Sequence, residues 1–102
     1  MSEPDRLLGA VVLDATGTEV GTVAALRVDP GDLRPRWIDV ALAGDARSTV
    51  PVQAASADAS GRVVLPFTAD DLRAAPTVDE RVVSADLAAA LLRHYGFPPE
   101  TR

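Results

Sequence analysis

The chain has 102 residues, the length of a single domain. It contains no cysteine, which excludes disulfide bonds and thiolate metal sites. Its 15 acidic residues outnumber its 10 basic residues, and the net charge of −5 argues against nucleic-acid binding because a negative surface repels phosphate.

The composition also indicates how the interior is built. Apolar residues make up 47% of the chain but aromatic residues only 4%, so the core must consist mainly of valine, leucine and alanine. Such a core has a small surplus over the entropy of the chain. Association with a partner protein or with a second copy would add to its stability. All the basic residues are arginines, and they are scattered along the chain.

The two ends of the chain are predicted to lie outside the folded domain. Residues 1–6 are predicted to form a flexible leader, residues 7–97 a single domain that includes a C-terminal helix, and residues 98–102 a tail. The opening residues MSEPDR are acidic and lack the apolar segment of a signal peptide. The apolar runs are shorter than a bilayer requires. These features predict a cytoplasmic protein with no membrane span.

The first two predicted strands form a hairpin. LLGAVVLDA (7–15) leads into a turn at DATG, and EVGTVAALRV (19–28) is the second strand. Val20 and Val23 are three residues apart, so a regular strand would place them on opposite faces. A bulge at Gly21 would let both valines face the core.

The third predicted strand carries an aromatic residue next to basic ones. A loop of turn residues, DPGDLRP (29–35), precedes the strand RWIDVAL (36–42). Alternation divides this strand into an aliphatic face and a mixed face. The aliphatic face consists of Ile38, Val40 and Leu42. The mixed face consists of Trp37, Asp39 and Ala41.

Two further strands follow. TVPVQA (49–54) contains Pro51, which indicates an edge strand or a bulge because proline cannot donate a hydrogen bond to a neighbouring strand. A turn at ADASG then leads to the strand RVVLPF (62–67). TVDERVV (77–83) is predicted as an extended segment or a sixth short strand.

A short helix is predicted between these last two segments, in TADDLRAAP (68–76). Thr68 is its N-cap, Asp71 completes a capping box, and Pro76 ends the helix.

A longer helix is predicted near the C-terminus. It begins after the cap Ser84 and ends at Gly96, with Phe97 folding back onto the last turn. Its apolar stripe consists of Leu87, Leu91, Leu92 and Tyr95.

Five or six short strands with turns between them predict a mainly β fold, a small barrel with one short helix and a C-terminal helix that packs across one opening or face. This series of elements resembles the PRC-barrel domain family, and its ending is similar to that of small stand-alone bacterial members. The resemblance covers residues 7–97. The matching positions are Leu8 and Gly9, Gly17, Gly21 and Val23, Asp29 and Pro30, Val50 and Pro51, Leu72, Pro76, Tyr95 and Gly96.

The resemblance implies a compact β-barrel that is used for protein contacts and has no catalytic residues. The family includes the cytoplasmic portion of the photosynthetic reaction-centre H subunit and a domain of a ribosome-maturation factor. The second of these relatives suggests an alternative role for this chain as a ribosome-assembly or RNA-processing accessory factor.

The residues that could carry out chemistry are better explained by local structure. His94 is the only histidine, and at a helix C-terminus it complements the helix dipole. The acidic pairs at 70–71 and 79–80 are explained by a first helical turn and by a solvated turn. Asp29, Asp32 and Asp39 lack the ligand spacing of a calcium loop. We therefore predict no catalytic residue, no metal site, no cofactor and no enzymatic activity.

The candidate interface residues are Arg34, Arg36, Trp37, Tyr95 and Phe97. Tryptophan and arginine are favoured at protein interfaces, and Trp37 lies on the strand face opposite the aliphatic residues. Each of the three aromatic residues has a second interpretation as a core residue beneath or within the C-terminal helix. The sequence thus predicts a non-enzymatic protein–protein interaction module that forms a homodimer or binds another protein.

Overall fold

The computed structural model describes residues 8–28, 31, 33–78 and 83–97. The strands are β1 (Val11–Leu13), β2 (Glu19–Val28), β3 (Pro35–Leu42), β4 (Arg47–Pro51), β5 (Ser56–Ala57) and β6 (Val63–Val64). The helices are α1 (Ala69–Ala74) and α2 (Ala85–His94). Single 3₁₀ turns at Ala43–Asp45 and Val52–Ala54 follow β3 and β4.

The six strands form one curled sheet in the order β4-β3-β2-β1-β6-β5, which confirms the predicted mainly β fold and has the shape of a half-barrel. Neighbouring strands are antiparallel except β1 and β6, which are parallel. Strand β4 lies at one edge of the sheet, and both helices lie against it. Of the two alternatives that Pro51 indicated, an edge strand or a bulge, the structure shows the edge strand.

The core lies between the sheet and the two helices. The aliphatic face of β3 is buried as predicted, and residues from all parts of the described chain join it in one cluster. The cluster consists of Val12, Val23, Ile38, Val40, Leu42, Val50, Val63, Leu65, Phe67, Leu72, Leu91 and Tyr95. Both helices therefore share a core with the sheet.

Several predicted strands have different bounds in the structure. β2 begins and ends as predicted, but β1 is shorter than 7–15 because Gly9 forms a turn and Asp14 begins another. The predicted strand at 49–54 is displaced toward its N-terminal side, since Val52–Ala54 forms a 3₁₀ turn. The strand predicted at 62–67 is reduced to two residues.

The sequence suggested residues 77–83 as an extended segment or a sixth short strand, but the additional strand lies elsewhere in the structure. It is β5, Ser56–Ala57, which pairs with β6. In the segment 77–83, residues 79–82 lie outside the described part of the chain, and Thr77, Val78 and Val83 are not in a strand. The predicted leader and tail likewise lie outside the described residues.

The predicted bulge in β2 is present, with Val20 rather than Gly21 as the extra residue. Val12 pairs with Gly21 and Leu13 pairs with Glu19, which leaves Val20 without a partner in β1. Val20 packs against the core and Val23 lies within it, as expected. Gly21 has another role.

That role is close approach to β3. A Cβ atom at Gly21 would overlap the carbonyl oxygen of Ala41 on the neighbouring strand. Glycine therefore lets the backbones of β2 and β3 come together where the sheet curls.

Two turns of nearly the same sequence join neighbouring strands. DATGT (14–18) joins β1 to β2, and DASGR (58–62) joins β5 to β6. The Asp14 carboxylate accepts hydrogen bonds from the backbone N–H groups two and four residues later, at 2.9 and 3.0 Å. Asp58 accepts the corresponding two bonds, each at 2.9 Å. The same local chemistry thus closes both hairpins.

These bonds stabilise the ionised form of each carboxylate. The hydroxyl of Thr16 donates to Asp14 at 2.6 Å and, together with the backbone N–H groups, lowers the pKa of Asp14. The pKa of Asp58 is lowered mainly by the backbone N–H of Arg62, whose side chain also forms an ion pair with it at 2.7 Å.

The ends of both helices follow the sequence predictions. Thr68 and Asp71 form the capping box of α1. The Ser84 hydroxyl accepts from Leu87 N–H at the start of α2. At its end, Phe97 N–H donates to Leu92 C=O at 2.8 Å, and Gly96 N–H donates to Arg93 C=O, the two bonds of a Schellman motif.

Candidate protein-binding surface

A surface groove lies between helix α2 and the ends of strands β3 and β4, and we call it the Trp37 groove. Its volume is about 570 Å³. The sheet side contributes Arg34, Arg36, Trp37 and Pro51, and the helix side contributes Ala88 and Leu92. The two alanines on the helix side, Ala85 and Ala88, have short side chains and leave the groove open.

Trp37 belongs partly to the core and partly to this groove. It is half-buried, packs against the core cluster, and also lines the groove. In the sheet register it lies between Arg27 of β2 and Pro51 of β4. The structure therefore places Trp37 against the core and in the lining of an open groove, and its role in an interface stays a prediction.

Arg34 and Arg36 give the groove its charge. Arg34 is exposed and Arg36 is half-buried. Arg36 is an extra residue in β3, because Trp37 pairs with Arg27 whereas Pro35 pairs with Val28. Both arginines line the groove, and no lining residue that the structure describes is acidic.

The connection between β2 and β3 carries exposed apolar side chains beside the groove. We call Val28 and Leu33 the hairpin tip. Val28 is 50% exposed and Leu33 is 73% exposed. Leu33 also has a φ of 60°, a left-handed conformation that a leucine rarely adopts. Among the large hydrophobic residues of the described chain, Leu33 has the highest exposed fraction.

Tyr95 lies in the core, in agreement with the second of its two interpretations. It is 7% exposed, its ring lies 4.4 Å from that of Phe67, and its hydroxyl is 2.8 Å from the hydroxyl of Ser48. Burial raises the pKa of Tyr95. Tyr95 does not line the Trp37 groove.

Phe97 follows the end of α2 and is half-buried. It packs against the core cluster, and its ring meets the edge of Phe67 at 6.5 Å. Phe97 therefore serves to hold the end of α2 on the barrel, and it too lies outside the groove lining.

A buried ion pair on the mixed face of β3 was missing from the sequence predictions. Nε of Arg27 lies 3.0 Å from each carboxylate oxygen of Asp39, and the hydroxyl of Thr49 donates to Asp39 at 2.7 Å. Asp39 is buried, so these partners replace the water that it loses. The only available signal was the opposite charge of residues 27 and 39 on adjacent predicted strands.

Of the other candidate residues for chemistry, His94 has a structural role, whereas Asp29, Asp32, Asp79 and Glu80 lie outside the described residues. His94 Nε2 lies 2.7 Å from the carbonyl oxygen of Asp71 and connects the end of α2 to α1. Within the described residues, no group of three His, Cys, Asp or Glu side chains is placed to hold a metal ion. No helix in that part of the chain is long and apolar enough to cross a membrane.

A family model described as the PRC-barrel domain matches residues 1–83. No curated protein matches the chain. The matched residues include the whole sheet and α1, and they end just before α2, which forms the helix wall of the Trp37 groove.

Proposed function

The chain belongs to the PRC-barrel domain family, and from this premise we propose that it is a non-enzymatic protein–protein interaction module that associates with a second copy of itself. The family supports a small interaction-type module, and it is a non-catalytic domain family in general. Self-association is the more specific part of the proposal, and it depends on the surface of this chain.

The observation that carries the proposal is the Trp37 groove with the hairpin tip beside it. The groove combines an indole ring with two arginines, which are the side chains that contribute most often to binding energy at interfaces. The tip adds two exposed apolar side chains. Burying such a surface against another protein removes apolar area from water, which favours association.

The proposed domain spans residues 7–97, with a leader at 1–6 and a tail at 98–102. The inclusion of α2 is supported by Leu91 and Tyr95, which belong to the same core cluster as the sheet. A cytoplasmic location is part of the same proposal, and the absence of cysteine is consistent with it.

The mass of the protein in solution tests self-association. We expect light scattering after size-exclusion chromatography to give twice the mass of the chain at micromolar concentration. Trp37→Ser should give a folded monomer. Leu8→Ser is the matched control, because Leu8 is an exposed apolar residue that does not line the groove. A wild-type mass of one chain would contradict the proposal of self-association.

The alternative role in ribosome assembly or RNA processing has weaker support. The groove holds two arginines in a chain of net charge −5, whereas nucleic-acid binding usually requires a larger basic surface. Filter binding to ribosomal RNA separates the two roles. Salt-dependent binding that is lost in Arg34→Ser and Arg36→Ser would favour the alternative.

A further inference from the structure

Exposure of the hairpin tip to water is energetically unfavourable unless another molecule covers it. Leu33 has both a left-handed backbone and a side chain that is largely exposed to water. A polar residue such as asparagine would fit both conditions better. Burial of this side chain in an assembled state would explain why leucine occupies the position.

We infer that Leu33 of one copy inserts into the Trp37 groove of a second copy, and that the second copy returns the same contact. This inference rests on the proposed function, since it specifies how two copies associate. It names the apolar residue that enters the groove and predicts a closed dimer with two-fold symmetry.

The spacing of tip and groove fits a two-fold interface. Leu33 and Trp37 are four residues apart, and a chain of that length spans at most about 14 Å. One interface of ordinary size buries about 800 Å² on each partner, a patch wide enough to contain both the tip and the groove. In a two-fold dimer, the tip of each copy then lies opposite the groove of the other.

The charge distribution favours contact at this place. Two copies of the chain, each with a net charge of −5, repel one another over most of their surfaces. Residues 27–37 contain three arginines and two aspartates, and Arg27 is paired with Asp39, so this segment carries no net acidic charge although the chain as a whole is acidic. Two such segments meet without the repulsion that acidic surfaces would cause.

The first test separates association from folding by changing Leu33 to asparagine. Leu33→Asn removes the apolar side chain but suits the left-handed backbone, so at concentrations low enough for both proteins to be monomeric we expect its thermal unfolding midpoint to equal or exceed that of the wild type. The dissociation constant of the dimer, measured by sedimentation, should rise at least about tenfold. Leu8→Ser, which changes an exposed leucine elsewhere, should leave the dissociation constant unchanged.

The second test uses the absence of native cysteine. Leu33→Cys and Ala88→Cys are made in separate chains, mixed, and oxidised under mild conditions. We expect a disulfide-linked species of two chains, because Ala88 lines the groove that receives Leu33. The matched control mixes Leu33→Cys with Leu8→Cys, which should form much less of the linked species.

The outcomes distinguish this inference from the proposal on which it rests. A monomeric wild-type protein overturns both. A wild-type dimer that Trp37→Ser dissociates but Leu33→Asn does not overturns the insertion of Leu33 alone. Equal disulfide formation with Ala88→Cys and Leu8→Cys overturns it as well.

Discussion

The sheet and helix α2 form the two walls of the Trp37 groove, but they are built in different ways. The sheet depends on strand register, on bulges and on the close backbone contact at Gly21. Helix α2 depends on its caps and on one apolar stripe. The family model matches the sheet and ends before α2. The proposed binding surface thus lies where the matched part of the fold meets a helix outside the match, and Ala88 of α2 lines that surface without belonging to the core cluster that α2 shares with the sheet.

The largest expected effect tests whether α2 and the sheet unfold together. Leu91 of α2 and Ile38 of β3 are both fully buried in the same cluster. Leu91→Ala and Ile38→Ala should each lower the free energy of unfolding by about 3 kcal/mol. In both variants, denaturation followed by Trp37 fluorescence and by far-UV circular dichroism should give a single coincident transition. If Leu91→Ala lost its helical signal at a lower denaturant concentration than its tryptophan signal, α2 would be a separate unit.

The next effect concerns the sheet alone. Gly21→Ala should lower the free energy of unfolding by about 2–3 kcal/mol, because its Cβ overlaps the Ala41 carbonyl and β2 must move away from β3. Chemical denaturation of the variant and the wild type measures the difference between their free energies of unfolding. Thr22→Ala, at an exposed position in the same strand, is the control and should change the free energy by only a few tenths of that amount. Equal effects of the two substitutions would show that the close approach is not important.

A smaller loss of stability is expected from substitution of Gly96, the glycine at the C-terminal end of helix α2. Gly96 has a φ of 82° and open space around its Cα, so Gly96→Ala introduces backbone strain without a clash. We expect a loss of about 1.5 kcal/mol in the free energy of unfolding. Gly96→Asn should lose less, since asparagine tolerates the left-handed conformation. If alanine and asparagine were equivalent here, the conformation of residue 96 would not explain the cost.

The smallest loss of stability at neutral pH is expected at the hydrogen bond between the hydroxyl groups of Tyr95, at the end of α2, and Ser48, in the sheet. Tyr95→Phe removes this hydrogen bond and should cost about 1 kcal/mol. At alkaline pH, the wild type should lose its advantage over Tyr95→Phe in the free energy of unfolding and then become the less stable of the two.

The reason is the direction of the tyrosine pKa. Burial raises the pKa of Tyr95 above its ordinary value of 10.0, so the unfolded chain ionises first as the pH rises. The wild type therefore keeps its full stability below pH 10 and loses stability as the pH rises through the folded-state pKa. Because the chain has one tyrosine, no lysine and no cysteine, the pH dependence of stability near pH 10 reports on Tyr95. A parallel loss of stability in Tyr95→Phe would contradict this explanation.

The sequence predicted those features that depend on neighbouring residues. The bounds of β2, both helix caps and the Schellman end of α2 follow from residues close together in the chain. The short strand β5 was missed, because serine and alanine have little preference for strands and Ser56–Ala57 is extended only through its pairing with β6.

The site was predicted only in part, because it depends on distant contacts. Alternation placed Trp37 away from the aliphatic face of β3, but it could not place α2 beside it. The ion pair between Arg27 and Asp39 depends on the bulges that set the register of β2 and β3. Tyr95 had two interpretations in the sequence, and its burial against Phe67 and its contact with Ser48 of β4, both distant in the chain, distinguish them.

The parallel pairing of β1 with β6 has a consequence for the order of folding. β1 has three residues and is the hydrogen-bonded link between the β2–β3–β4 meander and the β5–β6 hairpin. A tight turn cannot join parallel strands, and here strands β2 to β5 lie between β1 and β6 in the chain. Pairing of β1 with β6 therefore closes a long loop, so we expect it to form late in folding. Amide hydrogen exchange at Leu65, whose N–H donates to Leu13, therefore reports how often the hairpin detaches from an otherwise intact meander.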